Sequence, residues 1–146
     1  MTFYSSERND FSMNSDRNAL RVGAGKAAIE YPEHFFPYTG FRGRYLTGVR
    51  EDINARALML DNGESRVLII SIELGDITDE WVPEISREMG VPPENIFLAA
   101  THTHCAPYAN STWGEEVGDK EKTEPFCRAC LNAVLKAAKV AQETMR

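Results

Sequence analysis

The stretch RVLIISIELGDITDEWVPEISREMGVPPENIFLAATHTH, residues 66–104, decides the fold. Val67 to Ile72 is apolar at every position except Ser71, which predicts a strand buried on both faces. DITDEWVPEISREMG, residues 76–90, reads as a helix of about three turns. Asp76, Thr78 or Asp79 caps its start. Pro83 is tolerable only in or near a first turn, and Trp81, Ile85 and Met89 recur on one face at spacing four. Gly90 suits the end, and Pro92-Pro93 bars continuation. ENIFLAATHTH, residues 94–104, is then a second strand. Strand, helix and strand over this length form a βαβ unit with its two strands parallel.

Upstream, INARALML (53–60) and ESRVLIISIEL (64–74) flank Asp61-Asn62-Gly63, residues that tolerate positive φ, so these runs form a hairpin. LRVGAGKAAIEY (20–31) reads as a strand broken by glycines and ended by Pro32. PEHFFPYTGFRGRYLTG (32–48) is rich in aromatics, glycine and proline, the composition of a long ordered loop. EKTEPFCRACLNAVLKAAKVAQETMR (121–146) is a helix. Phe126, Cys130 or Ala129, Ala133, Leu135, Ala137 and Val140 supply its buried face, and Lys136, Lys139 and Arg146 complement its C-terminal dipole. The expected class is α/β: a mixed β-sheet with a hairpin and a βαβ unit, flanked by helices. Residues 19–146 form that domain, and the polar residues 1–18 form a flexible arm.

The formal net charge of -6, with basic residues scattered, argues against a nucleic-acid or anionic-membrane binder. No apolar run approaches the roughly 20 residues of a transmembrane helix. Residues 1–18 lack the pattern of a signal peptide, so the cytoplasm is the expected location, and three cysteines suit a reduced interior better than a disulfide framework.

Two of the three histidines, His102 and His104, stand at the carboxyl end of the second βαβ strand, where ligands bind in open α/β sheets. If the strand persists through His104, both imidazoles face one side with Cβ atoms about 7 Å apart, within the span of one metal ion. The competing reading is a pair of hydrogen-bonded loop residues. Cys127 and Cys130 form a C-x-x-C that either joins the histidines in a Cys2His2 zinc site or packs as two small core residues. Cys105 is a candidate nucleophile beside His104. His34 reads as a surface or packing residue, and Asp52, Glu73 and Asp76 are carboxylates able to support a metal site.

Three blocks carry a resemblance. VGAGKAAIEYP (22–32), GVREDINARALMLDNGESRVLIISIELGD (48–76) and PPENIFLAATHTHCAP (92–107) resemble, in order, the opening strand, the following A-R-A block and the T-H-T-H-S-G-P hallmark of the neutral/alkaline ceramidase family. The likeness covers the chain from about Arg21 onward, with Cys105-Ala106 where the family has Ser-Gly and Glu73 where it has aspartate. The resemblance implies a zinc-dependent amidase acting on a lipid amide, cleaving the N-acyl bond of ceramide. It implies His102 as a zinc ligand, His104 beside the substrate as a stabilising catalytic residue, and Gly40 and Phe41 at the substrate entrance, where the residues alone read equally as a turn glycine and a buried aromatic. The family's remaining zinc ligands lie further along much longer chains. The expectation is therefore the N-terminal region of a ceramidase-like fold, incomplete and inactive alone. A non-catalytic remnant that self-associates through an uncovered apolar face, forming a homo-oligomer, is the alternative.

Overall fold

A computed structural model describes residues 19–40, 43–109 and 120–146. The expected arm at 1–18 and Phe41 lie outside the described residues. The elements in order are β1 (Arg21–Ala28), β2 (Tyr38–Thr39), β3 (Tyr45–Leu46), β4 (Asn54–Asp61), β5 (Arg66–Ile72), α1 (Val82–Met89), β6 (Ile96–Ala100) and α2 (Lys120–Glu143). The main sheet has order β1-β4-β5-β6, and β2 and β3 form a separate two-stranded ribbon. β1–β4 and β4–β5 pair antiparallel, whereas β5 and β6 pair parallel with Ile70 level with Leu98. The mixed sheet, hairpin, βαβ unit and flanking helices match the expected α/β class.

The β4–β5 hairpin turns where the sequence places it. The Asp61 carboxylate accepts from the Gly63 N–H at 2.7 Å, and the Asn62 side-chain oxygen accepts from Ser65 N–H at 2.8 Å. Asp61 is buried yet paired, with Arg21 at 3.0 Å and Arg66 at 2.9 Å. α1 is shorter than expected: a 3-10 turn over Asp79–Trp81 precedes it, with Thr78 as the N-cap. Asp76 instead accepts from the adjacent Ile77 N–H. Pro83 sits in the first turn, and Gly90 closes the helix in the left-handed region at φ 63°, which a side chain would disfavour.

β1 is one unbroken strand, so its glycines do not interrupt it. They admit α2. A Cβ added to Gly23 would come within 1.8 Å of the Ala141 carbonyl oxygen, and one on Gly25 within 2.0 Å of that of Ala137. No other residue permits this approach. α2 then buries Phe126, Cys130, Leu131, Val134, Ala137, Ala138 and Ala141 against β1 and β4. The expected Leu135 and Val140 are only partly covered, because the small residues Ala138 and Ala141 face the sheet in their place. The long loop between β1 and β4 is ordered by ring stacking: Phe35 lies 4.8 Å from Tyr38 and 4.9 Å from Phe126. Tyr38 and Thr123, both fully buried, share a hydrogen bond of 3.0 Å.

The reading of β5 as buried on both faces is also corrected. β5 is covered on one face only: Leu68, Ile70 and Ile72 are buried, while Ile69 is 40% exposed. Among the described residues both helices pack on that one face, leaving the row Ala24, Leu58, Ile69 and Phe97 uncovered across all four strands. Sequence alone cannot separate a two-sided strand from a one-sided strand whose outer face is also apolar.

The glycine contacts yield a test. Gly25→Ala should destabilise the fold by about 3 kcal/mol in urea unfolding, because the overpacking meets a helix backbone rather than a movable side chain. Ala28→Gly, at an exposed position of the same strand, should cost well under half as much.

Candidate functional site

The carboxyl ends of β5 and β6 run on side by side beyond the ladder. Thr101 N–H donates to the Ile72 carbonyl at 2.9 Å and Thr103 N–H to that of Leu74 at 3.2 Å. β6 itself ends at Ala100, so the strand does not persist through the histidines. At His102 the backbone turns into the left-handed region, φ 60°. That conformation costs a non-glycine residue roughly 1–2 kcal/mol, and an anchor holds it. His102 Nδ1 lies 2.7 Å from the Gly75 carbonyl oxygen and donates to it, leaving Nε2 with its lone pair. Gly75 is suited to this neighbour, since a Cβ there would stand 2.9 Å from the Thr103 carbonyl. The two imidazoles nevertheless meet, ring centroids 5.1 Å apart at 74°, and both are exposed.

A histidine fixed through Nδ1 with Nε2 available is the arrangement metal-ligating histidines use. A catalytic zinc site takes three protein ligands. Among the described residues no three His, Cys, Asp or Glu side chains group closely enough to hold a metal ion. His102 and His104 thus fit part of a zinc site and fall short of a whole one. The Cys2His2 alternative fails on the same ground: Cys130 is fully buried in the core and Cys127 half-buried on α2. His34 projects from a turn at the surface beside Glu33. Gly40 sits where the β2–β3 ribbon turns, its N–H donating to the Arg44 carbonyl at 2.6 Å.

Beside the histidine segment lies a cavity of about 690 Å³. Thr101, Thr103 and Cys105 line it from one side, and Asn54, Arg56 and Glu73 from another, whereas neither histidine does. Glu73 organises this wall. It accepts from the Asn54 N–H at 2.8 Å, from the Asn54 side chain at 3.1 Å and from Arg56 at 2.5 Å. Partial burial pushes the Glu73 carboxyl up, but the Arg56 and Asn54 donors outweigh it and hold it below the usual carboxylate range. At the opposite end of the hairpin, the Gly63 N–H and Arg66 hold Asp61 down as well, against desolvation. The Arg56–Glu73–Asn54 cluster was not singled out in sequence as a unit; the alternation of Asn54 and Arg56 in β4, opposite Glu73, is the signal that marks it once the hairpin register is known.

No protein-family model matches the chain. Among solved structures it is similar to the neutral ceramidase from Pseudomonas aeruginosa, with a TM-score of 0.67 and 22% identity over 90% of this chain and 22% of that one. It is also similar to a ceramidase complexed with C2, with a TM-score of 0.63 and 23% identity over 88% of this chain and 22% of that one. This likeness establishes a shared fold, and the chain spans about a fifth of the length of each of those structures.

Two outcomes follow from the site's electrostatics. Burial pushes the Cys127 thiol up to about 11 and Cys130 well above its ordinary value, while Cys105 is exposed. At pH 8 a disulfide reagent should therefore titrate one thiol in the folded protein and three in denaturant. Because the folded-state values of Glu73 and Asp61 are depressed, the stability they contribute is present above their unfolded values near 4 and is lost as pH falls through the lower folded values. Glu73→Gln should lower the urea midpoint at pH 7, and its difference from the parent protein should shrink steadily below about pH 4.

Proposed function

We propose that this chain is the histidine-bearing portion of a ceramidase-type amide hydrolase. His102 supplies one zinc ligand, His104 stands at the reaction centre, and the substrate is a lipid amide. The observation that carries the reading is the His102–His104 pair at the carboxyl end of β6, with His102 pinned through Nδ1 to Gly75, in the fold of a neutral ceramidase. Zinc, when bound by a full ligand set, supplies a hydroxide nucleophile at neutral pH. This chain's own residues do the positioning. Gly75 fixes the His102 tautomer through Nδ1, which leaves Nε2 as the ligating atom, and the T-shaped contact sets His104 beside it. Gly40, and Phe41 after it, belong to the substrate entrance on this reading.

The chain alone is proposed to be incomplete. Two imidazoles leave zinc with poor geometry and weak affinity. The third histidine, His34, projects from a surface turn beside Glu33. The self-associating remnant is the second reading, favoured by the exposed apolar row that crosses the sheet among the described residues.

The test is zinc titration of the purified chain against a competing chelator, with an N-acylsphingosine hydrolysis assay alongside. Weak zinc binding that His102→Ala abolishes, without turnover, is expected. Zinc binding indifferent to His102→Ala would remove the ligand assignment. Robust turnover lost in His102→Ala would instead show that the chain is complete, with a third ligand among Asp52, Glu73, Asp76 and His34.

A further inference from the structure

The β4–β5 hairpin ends in an irregular pair. In a regular antiparallel ladder, two residues of a hydrogen-bonded pair exchange both of their N–H···O=C bonds. Next to the Ala55–Ile72 pair, Glu73 N–H donates to the Asn54 carbonyl at 3.0 Å. The return bond goes to a side chain: Asn54 N–H donates to the Glu73 carboxylate at 2.8 Å, so the carboxylate stands in for its own main-chain carbonyl. The Asn54 side chain donates to the same oxygen at 3.1 Å, and Arg56 donates to the other. The main chain contracts at this point. Leu74 N–H donates back to the Ile72 carbonyl at 2.9 Å, a three-residue turn centred on Glu73. The next two carbonyls grip the histidine segment. That of Leu74 accepts from Thr103 N–H at 3.2 Å, and that of Gly75 from His102 Nδ1 at 2.7 Å.

We infer that Glu73 is a positioning residue for His102: by anchoring the turn at residues 72–74 to the start of β4, its carboxylate sets where the Gly75 carbonyl stands, and that carbonyl fixes the His102 imidazole as the Nδ1–H tautomer. The lever is short, because Gly75 lies two residues beyond Glu73. A displacement of about an ångström at Gly75 carries its bond to Nδ1 beyond hydrogen-bond length. His102 has little tolerance for that loss, since its backbone stands in the left-handed region and this bond is its anchor. A neutral imidazole with no acceptor at Nδ1 favours the Nε2–H form in water, which protonates the nitrogen a metal needs bare. The oxygen that does the anchoring is the one on Asn54; Arg56 stabilises the other and is not needed for the geometry. Only the use made of the bare Nε2 rests on the proposed zinc reading. The tautomer itself is a property of the metal-free chain.

The test reads the two imidazole nitrogens of His102 by nitrogen NMR in the full chain, metal-free and at pH 8. The unaltered chain should show a protonated Nδ1 and a bare Nε2. Glu73→Ala should move both signals toward the Nε2–H form. Glu73→Gln keeps an oxygen for Asn54 N–H, and Arg56→Gln keeps the whole carboxylate, so both should leave the signals in place although both lose the ion pair. That pattern separates positioning from stability. Signals unmoved by Glu73→Ala would overturn the inference, as would signals that Arg56→Gln moves equally far. Hydrogen exchange on the unaltered chain decides the matter if Glu73→Ala misfolds. The Thr103 amide should be as protected as the Asn54 amide, because both open in one unit, and a freely exchanging Thr103 beside a protected Asn54 would overturn the inference. Zinc titration of the same variants judges the zinc reading separately. Glu73→Ala should weaken binding about tenfold, as loss of an outer support does. Zinc binding indifferent to a shifted tautomer would remove the ligand assignment and leave Glu73 its positioning role. An unshifted tautomer with zinc binding lost in His102→Ala would do the reverse.

Discussion

The close approach of α2 to β1 is the contact on which the remaining architecture depends. At Gly23 and Gly25 the helix carbonyls of Ala141 and Ala137 occupy space that any Cβ would fill. With the helix seated this low, its small residues suffice to close the core over β1 and β4, and its N-terminal part brings Phe126 among the rings of Tyr31 and Phe35. Those rings order the β1–β4 loop, and Tyr31 and Phe36 from that loop help to wall the cavity beside the histidine segment. Burial pushes the Tyr31 hydroxyl up to about 12. The C-terminal end of the same helix reaches the β1 edge and closes it through Thr144 and Arg146.

The histidine pair depends on a second constraint, the parallel pairing of β5 with β6. Parallel strands emerge together at their carboxyl ends, so residues 72–75 and 101–103 continue alongside one another after the ladder stops. That adjacency gives His102 its acceptor on Gly75 and makes a left-handed histidine affordable at this point. It also divides the segment: Thr101, Thr103 and Cys105 face the cavity, and the imidazoles do not line it. The polar wall across the cavity, Arg56–Glu73–Asn54, belongs to the hairpin rather than to the histidine segment.

The helical face Trp81, Ile85 and Met89, the stop at Gly90 and the Asp61–Gly63 turn were all legible in the sequence, because each rests on local chemistry: side-chain period, positive φ or a cap. Placement of the histidines beyond a parallel strand followed from the same patterns. The function of Gly23 and Gly25 was not legible, because a glycine that breaks a strand and a glycine that admits a helix look alike until the helix is in place. Whether Ile69 and Phe97 are covered was equally hidden, since burial depends on what lies above a residue and not on the residue. The turn at His102 was decided by the Gly75 carbonyl, 27 residues away in sequence. Sequence by itself therefore determined the long strands and the helices, the β4–β5 hairpin, the βαβ unit and the site's address at the end of β6, but not the β2–β3 ribbon inside the loop it read at 32–48. Tertiary structure alone decided which sheet face the helices cover and how the two imidazoles meet, because those properties arise from contacts between segments distant along the chain.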